Sequence, residues 1–214
     1  MLKIQLALDR FTISQAVSIA KEVSEFIDWI EVGTSLIKEF GTESIVAIRR
    51  AFPDKIVVAD IKTFDNAEYE MNLCFDAGAD VATVLGVASK VTIEKCIQTA
   101  KKRNAKVMID FASVPIEKQS TMPVHNNVIW CLHTSKDEQE ALNVKQDGTL
   151  ASKVLSMPER PNLAVAGGIT AESVSVLSKL MPEVIIAGSY ITKAEDRRLS
   201  AEKLRNAVRQ LEMK

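Results

Sequence analysis

The chain has 214 residues, of which 47% are hydrophobic and 26% charged. This length and composition suffice for one sizeable core, so we expect a single domain over residues 1–214. The 27 basic residues nearly balance the 28 acidic ones, which argues against nucleic acid or anionic membranes as partners. No apolar run approaches the ~20 residues of a membrane span, and no signal-peptide pattern begins the chain, so we expect a cytoplasmic protein. Widely spaced Cys74, Cys96 and Cys131 predict buried thiols rather than disulfides or zinc ligands.

Short apolar runs alternate with stretches of helical periodicity along the chain. The runs that predict buried strands are 4–9, 29–34, 56–60, 81–85, 107–110, 128–133, 162–168 and 184–189. The intervening patterns predict helices at 14–27, 42–52, 67–77, 92–103, 171–180 and 200–212. Residues 111–127 are less regular and predict one short helix, and the polar stretch 134–161 predicts one or two. Eight strand–helix units of about 27 residues predict an α/β protein with a (β/α)₈ TIM barrel, and a doubly wound open sheet is the alternative.

Polar side chains recur where the predicted strands end. They are Asp9, Glu31, Asp60, Lys62, Asp110 and His133. The carboxyl ends of parallel strands meet at one mouth in a closed barrel, whereas an open sheet would spread these groups along a crevice. Their recurrence therefore favours the barrel and predicts a functional site at its mouth.

Two of these acids suit a metal ion. Glu31 and Asp60 lie on adjacent predicted strands, and two carboxylates with water completing the shell are typical of Mg²⁺. Lys62 lies two residues after Asp60 and should share its face of an extended strand. Surrounded by carboxylates, Lys62 should stay protonated and could neutralise negative charge on a substrate oxygen or carry a proton. A purely structural cluster of ion pairs is the alternative interpretation.

A histidine and two glycine turns complete the predicted mouth. His133 ends the sixth strand, where its imidazole can pass a proton to or from a bound intermediate. Gly167 and Gly168 follow the seventh strand, and Gly188 and Ser189 follow the eighth. Barrels frequently bind phosphate at these two strand ends through backbone N–H groups. The pattern therefore predicts a small phosphorylated substrate.

An ordered set of motifs covering essentially the whole chain resembles the orotidine monophosphate decarboxylase suprafamily. Within it, the chain is most similar to the 3-hexulose-6-phosphate synthase branch and next to the 3-keto-L-gulonate-6-phosphate decarboxylase branch. The motifs are Leu6-Ala7-Leu8-Asp9, Ile30-Glu31-Val32-Gly33-Thr34, the Asp-x-Lys-x-x-Asp pattern of Asp60, Lys62 and Asp65, Thr83-Val84-Leu85-Gly86, His133-Thr134, Ala166-Gly167-Gly168 and Ala187-Gly188-Ser189.

The resemblance implies roles for the matching residues. Glu31 and Asp60 would belong to a Mg²⁺ site, Lys62 would stabilise a 1,2-enediolate, and Asp65 would reach across a dimer interface. A homodimer with shared active sites is therefore implied. So is a sugar-phosphate reaction through the Mg²⁺-stabilised enediolate: either the reversible aldol condensation of formaldehyde with ribulose 5-phosphate, or the decarboxylation of 3-keto-L-gulonate 6-phosphate.

Local residues favour the synthase branch. Asp110 stands where that branch has aspartate and the other has glutamate, and Ser189 replaces an arginine that the decarboxylase branch uses beside the phosphate. Lys136 resembles instead the basic residue of the decarboxylase His-x-x-Arg pattern, and 111–113 departs from the usual synthase stretch. We expect an aldehyde-lyase, with a carboxy-lyase and a non-catalytic sugar-phosphate-binding barrel as alternatives. The candidate site comprises catalytic Lys62, Asp65, Asp110 and His133, metal-binding Glu31 and Asp60, and substrate-binding Asp9, Gly167, Gly168, Gly188 and Ser189.

Overall fold

The computed structural model describes residues 2–135 and 160–212. Eight parallel strands pair in chain order, and the last pairs with the first, which closes a barrel. The strands are β1 (Lys3–Leu8), β2 (Trp29–Val32), β3 (Ile56–Thr63), β4 (Val81–Leu85), β5 (Lys106–Asp110), β6 (Val128–His133), β7 (Asn162–Ala166) and β8 (Val184–Ala187). The predicted (β/α)₈ TIM barrel is confirmed, and the open sheet is wrong.

Helices follow the strands on the outside of the barrel. In the described part of the chain they are α1 (Ile13–Val23), α2 (Thr34–Phe40), α3 (Glu43–Ala51), α4 (Ala67–Asp76), α5 (Lys90–Lys102), α6 (Ile116–Gln119), α7 (Val174–Leu177), α8 (Ser189–Thr192) and α9 (Arg197–Glu212). None of these described helices is long and apolar enough to cross a membrane. The helices predicted within 134–161 fall almost entirely outside the described residues.

Two short helices were absent from the prediction. α2 begins at Thr34 and α8 at Ser189, shortly after β2 and β8. The predicted strands 29–34 and 184–189 therefore each included the first residue of a helix. Helices of one or two turns offer too few positions for a periodic pattern to emerge. The consequence is functional, because both helix starts lie at the mouth.

The barrel interior is filled in layers. Its apolar layer consists of Trp29, Val58, Val81, Met108, Ile129, Cys131, Ala164, Ala166, Val184 and Ile186, packed with Ala7. Side chains alternate between the two faces of a strand, so the residue two positions later also points inward, nearer the mouth. Those positions hold Glu31, Asp60, Thr83, Asp110 and His133 on five successive strands. The apolar layer therefore forms the floor of the mouth, and these five polar residues form a polar ring above it.

The end of β3 departs from simple alternation. The strand continues to Thr63, three residues beyond its predicted end, and its register with β4 shifts between Ala59 and Thr63. Lys62 has φ of 53°, in the left-handed region that non-glycine residues seldom adopt. Lys62 and Asp60 do lie side by side, as predicted. The prediction rested on a regular extended backbone through Lys62, and that part of it is wrong.

Candidate active site

The buried carboxylate of Asp110, at the end of β5, contacts two of the candidate catalytic side chains. Its Oδ2 accepts a hydrogen bond from Lys62 Nζ at 2.7 Å. Its Oδ1 lies 2.9 Å from His133 Nδ1 and also accepts from the backbone N–H of Ala112 at 2.9 Å. Asp110 is only 2% exposed. One carboxylate on β5 therefore fixes both Lys62 and His133.

Charges within this group determine its protonation. Burial by itself would raise the pKa of Asp110, but the hydrogen bonds and charge of His133 and Lys62 outweigh burial and hold that pKa well below its usual value. Burial would also lower the pKa of Lys62, but the Asp60 and Asp110 carboxylates hold it above its usual value. Lys62 is thus an ammonium at neutral pH. Because Asp110 is ionised, Nδ1 of a neutral His133 donates to it, which leaves Nε2 as the basic nitrogen.

The Asp60 carboxylate is held on both of its oxygens. Oδ2 accepts from Thr34 Oγ1 at 2.6 Å, and Oδ1 accepts from Thr83 Oγ1 and from Lys62 Nζ, both at 3.0 Å. Thr34 begins α2, and Thr83 lies on β4 beside β3. Sequence reasoning gave neither threonine a role. The signal for Thr83 was its inward position two residues after Val81.

Glu31 faces the same mouth from β2. It is 8% exposed and accepts a hydrogen bond from the Gln5 side chain on β1. Burial and the nearby charge of Asp60 raise the pKa of Glu31 well above its usual value. Two like-charged carboxylates held close together are an arrangement that a divalent cation stabilises.

The donor set leaves room for oxygen ligands from solvent or substrate. Within residues 2–135 and 160–212, no group of three or more His, Cys, Asp and Glu side chains is arranged to hold a metal ion. Glu31 and Asp60 alone would supply two oxygen ligands. This fits Mg²⁺, which usually binds through one or two carboxylates and keeps several waters. The predicted metal role of both residues stays a prediction.

Asp9 lies on the rim after β1. Its Oδ1 accepts from the backbone N–H and the hydroxyl of Ser35, at 3.2 and 2.8 Å, and so caps the first turn of α2. The approach requires glycine at position 33, because a Cβ there would lie 2.4 Å from Asp9 Cγ. The structure brings Asp9 to the mouth, and its part in substrate binding stays a prediction.

Asp65 lies apart from the hydrogen-bonded cluster. It is exposed, and it makes no hydrogen bond or ion pair with the other described residues. It borders a cavity of about 410 Å³ beside the mouth. The cavity is lined by Thr34, Ile37, Lys38, Ile61, Lys62, Phe64, Asp65 and Glu70. The role of Asp65 across a dimer interface stays a prediction.

The glycine turns lie on the opposite side of the mouth. Gly167 and Gly168 follow β7 with φ of 99° and 65°, values that glycine adopts without strain. Gly188 precedes Ser189, the first residue of α8. In the closed strand order, β7 and β8 lie across the barrel from β3 and β4. A substrate bound at both sides would therefore span the mouth. Substrate binding by these four residues stays a prediction.

Comparison with known proteins identifies the family. The Orotidine 5'-phosphate decarboxylase / HUMPS family model matches residues 2–204. The 3-hexulose-6-phosphate synthase of Mycobacterium gastri is 35% identical over 211 residues, covering 97% of this chain and 100% of that protein.

Solved structures of the same family also match this chain. The crystal structure of 3-hexulose-6-phosphate synthase from Salmonella typhimurium matches with a TM-score of 0.89 and 35% identity, covering 97% of this chain and 99% of that one. That of 3-keto-L-gulonate-6-phosphate decarboxylase from Vibrio cholerae matches with a TM-score of 0.83 and 27% identity over 97% of both chains. The expected order of resemblance is confirmed, and the chain belongs to the Orotidine 5'-phosphate decarboxylase / HUMPS family.

Proposed function

We propose that this chain is an aldehyde-lyase of the 3-hexulose-6-phosphate synthase type, which joins formaldehyde and ribulose 5-phosphate reversibly. One observation carries the proposal: the buried Asp110 carboxylate holds the Lys62 ammonium and the His133 imidazole together in one mouth. A fixed cation and a proton carrier are the groups that proton abstraction beside a carbonyl requires. Similarity to a named 3-hexulose-6-phosphate synthase over 97% of the chain supports these substrates.

Mg²⁺ is the proposed cofactor. Glu31 and Asp60 would hold it, and hydrogen bonds from Thr34 and Thr83 would keep the Asp60 carboxylate in place. Bound there, the ion would offset negative charge on two substrate oxygens. The fit rests on two carboxylates on the paired strands β2 and β3 and on the raised pKa of Glu31, which follows from burial and from the charge of Asp60.

The residues of the chain account for the proton and bond changes. His133 Nε2 takes a proton from C1 of ribulose 5-phosphate, and the electron pair moves toward the C2 carbonyl oxygen to give an enediolate. The Lys62 ammonium hydrogen-bonds the oxygen that gains charge. C1 then forms a bond to the carbon of formaldehyde, whose oxygen takes the proton back from His133. Reversal of these steps breaks the same carbon–carbon bond and releases formaldehyde.

The phosphate would bind across the mouth from Lys62 and beside the end of β6 that carries His133. Backbone N–H groups of Gly167, Gly168 and Gly188 and the Ser189 hydroxyl are the proposed partners, with Asp9 next to them on the rim. Because β8 pairs with both β7 and β1, these residues follow one another around the barrel. The substrate would then extend from the phosphate end toward Lys62 and His133.

A 3-keto-L-gulonate-6-phosphate decarboxylase is the second candidate. The Vibrio cholerae enzyme of that name is 27% identical, and the basic Lys136 follows His133 by three residues, although Lys136 lies outside the described residues. In that reaction the bond to the carboxylate breaks, CO₂ leaves, and the electron pair remains as an enediolate that is then protonated. Asp110 and Ser189 favour the synthase.

A paired assay separates the candidates. Purified protein with Mg²⁺ would receive ribulose 5-phosphate and formaldehyde in one experiment and 3-keto-L-gulonate 6-phosphate in the other. Faster condensation supports the synthase, and faster CO₂ release overturns it in favour of the decarboxylase. Activity in neither favours the non-catalytic sugar-phosphate-binding barrel. Full activity of Asp60→Asn in the presence of a chelator would contradict the proposed metal site.

A homodimer is proposed from an exposed apolar patch near Asp65. Phe64, Tyr69 and Val91 are each at least 60% exposed, and they lie at the mouth end of β3, α4 and α5. Exposed apolar patches commonly mark protein interfaces. A partner covering the patch would meet Asp65, which follows Phe64.

The patch can be tested by charge insertion. We expect wild type to sediment as a dimer, and Phe64→Glu combined with Tyr69→Glu to sediment as a monomer. Val176→Glu is the matched control, since Val176 is 66% exposed but lies on α7, across the barrel. A monomeric wild type would contradict the proposal.

A cytoplasmic location is also proposed. All three cysteines, Cys74, Cys96 and Cys131, are free thiols. Reducing compartments keep thiols in this state, and disulfides are rare there. Fractionation of the source cells would test the location.

A further inference from the structure

We propose that Thr83 is a positioning residue, which places Lys62 and Asp60 through a single hydroxyl group. The inference rests on the roles proposed above for those two residues. Thr83 lies on β4, is 3% exposed, and points into the barrel between the apolar floor and the mouth. It would touch no substrate and would act only through its neighbours.

The hydrogen bonds of this hydroxyl have a fixed direction. Thr83 Oγ1 accepts from the backbone N–H of Lys62 at 2.8 Å and donates to Asp60 Oδ1 at 3.0 Å. An amide N–H only donates and a carboxylate oxygen only accepts, whereas a hydroxyl can do both at once. No apolar side chain of the same shape could replace these two bonds.

The irregular end of β3 explains why Lys62 needs this partner. Ala59 pairs with Ala82, but the next paired residues are Thr63 and Val84. Three residues of β3, 60–62, therefore lie opposite Thr83 alone. In such a bulge the regular ladder is interrupted, and a side chain is aimed in a new direction. The Thr83 hydroxyl takes the place of a strand carbonyl for the Lys62 N–H.

Redirection of Lys62 is the functional result. With φ of 53°, Lys62 has a backbone conformation that needs support from its surroundings. That conformation brings Nζ to 3.0 Å from Asp60 and 2.7 Å from Asp110, two strands away. Without the hydroxyl, the Lys62 N–H loses its partner and the bulge can relax, which would move the ammonium away from the reacting atoms.

The experiment compares two variants of Thr83 that separate hydrogen bonding from packing. Thr83→Val keeps the shape and removes the hydroxyl, whereas Thr83→Ser keeps the hydroxyl and removes a methyl group. We expect Thr83→Val to lower kcat about 10- to 100-fold, the loss typical of a displaced catalytic group. KM for ribulose 5-phosphate should change less than about twofold, because the proposed phosphate turns lie across the mouth. Thr83→Ser should stay within about threefold of wild type.

Thr63→Val is the matched control. Thr63 is 1% exposed and lies on the neighbouring strand β3, next to Lys62, and its hydroxyl has no hydrogen-bond partner among the described residues. Its removal should leave kcat near the wild-type value. An active Thr83→Val with an impaired Thr83→Ser would show a packing role and overturn the proposal. Equal losses in Thr63→Val and Thr83→Val would also overturn it.

Hydrogen exchange at the Lys62 amide tests the hydroxyl without any activity. In Thr83→Val this amide should exchange at least about tenfold faster than in wild type, while amides of the other strands keep their protection. Unchanged exchange at Lys62 would overturn the proposal. A wild-type protein without lyase activity would instead refute the proposed function, and the exchange result would still decide whether Thr83 holds the Lys62 backbone.

Discussion

The imidazole of His133 is held by a buried carboxylate: its Nδ1 lies 2.9 and 3.0 Å from the two oxygens of Asp110. This contact fixes the ring and leaves Nε2 to carry a proton. We expect His133→Gln to lower kcat by about 10² to 10⁴, the usual contribution of acid–base catalysis. His125→Gln is the control, because His125 is exposed and precedes the start of β6, at the end of the barrel opposite the mouth. Steady-state kinetics would check this, and equal losses in both variants would refute the assignment.

Asp110→Asn should reduce kcat at least about 100-fold while the fold is kept. Asparagine retains the shape of the side chain but no longer pairs electrostatically with Lys62 or dictates which His133 nitrogen is protonated. Kinetics with purified Asp110→Asn would measure the loss. A variant with near wild-type kcat would mean that the carboxylate is structural.

The ionisation of Asp110 should make the free energy of unfolding depend on pH. The pKa of Asp110 lies below the ordinary value of 3.8, so its ionised form stabilises the native state. This stabilisation is complete above about pH 4 and is lost as pH falls further toward the folded-state pKa. Between pH 6 and pH 3, the free energy of unfolding of wild type should therefore fall more steeply than that of Asp110→Asn. Urea titrations at several pH values would test this, and parallel curves would contradict it.

Glu31→Gln should weaken Mg²⁺ binding. Loss of one of two carboxylate ligands should raise the Mg²⁺ concentration for half-maximal activity by about tenfold or more. A readout independent of activity is thermal unfolding, because a ligand that binds the native state raises the midpoint. Mg²⁺ should raise the midpoint of wild type and not that of Glu31→Gln. Equal shifts in both proteins would place the ion elsewhere.

Strand periodicity located most of the polar ring. Glu31, Asp110 and His133 each follow an apolar inward residue by two positions, so alternation alone predicts where they point. The hydrogen bonds from Thr34 and Thr83 to Asp60 could not be predicted from sequence patterns, for two reasons. Thr34 belongs to a helix too short to leave a pattern, and the bond from Thr83 depends on the shifted register between two strands. Register shifts arise from tertiary pairing, which a single sequence does not encode locally.

Residues at the end of the barrel opposite the mouth should affect stability and not activity. Arg205 of α9 donates to the Phe26 carbonyl at 3.0 Å and pairs with Asp28 at 2.5 Å, and Asp28 accepts from the Ile4 N–H at 2.8 Å. Arg205→Met would remove the guanidinium that pairs directly with Asp28 and leave the Lys55 ammonium as the nearby cation. We expect a loss of about 2–4 kcal/mol in the free energy of unfolding with kcat unchanged.

Arg198→Met provides the comparison for that variant. Arg198 lies on the same helix and pairs with Glu25, but both side chains are more than half exposed. Its loss should cost less than about 1 kcal/mol. Chemical denaturation of both variants would check the difference, and a similar cost for the two would show that the Arg205 contacts add nothing beyond a surface ion pair.

The three thiols should be unreactive in the native protein. Cys74, Cys96 and Cys131 are buried, and burial raises the pKa of Cys74 and of Cys96 to about 12. The thiolate is the nucleophile, so a disulfide reagent at pH 8 should label none of them natively and all three in guanidinium chloride. Unfolded thiols ionise near pH 9 while the folded ones stay neutral, so the free energy of unfolding should fall as pH rises above about 9. A thiol that reacts natively as fast as in the unfolded chain would contradict this burial.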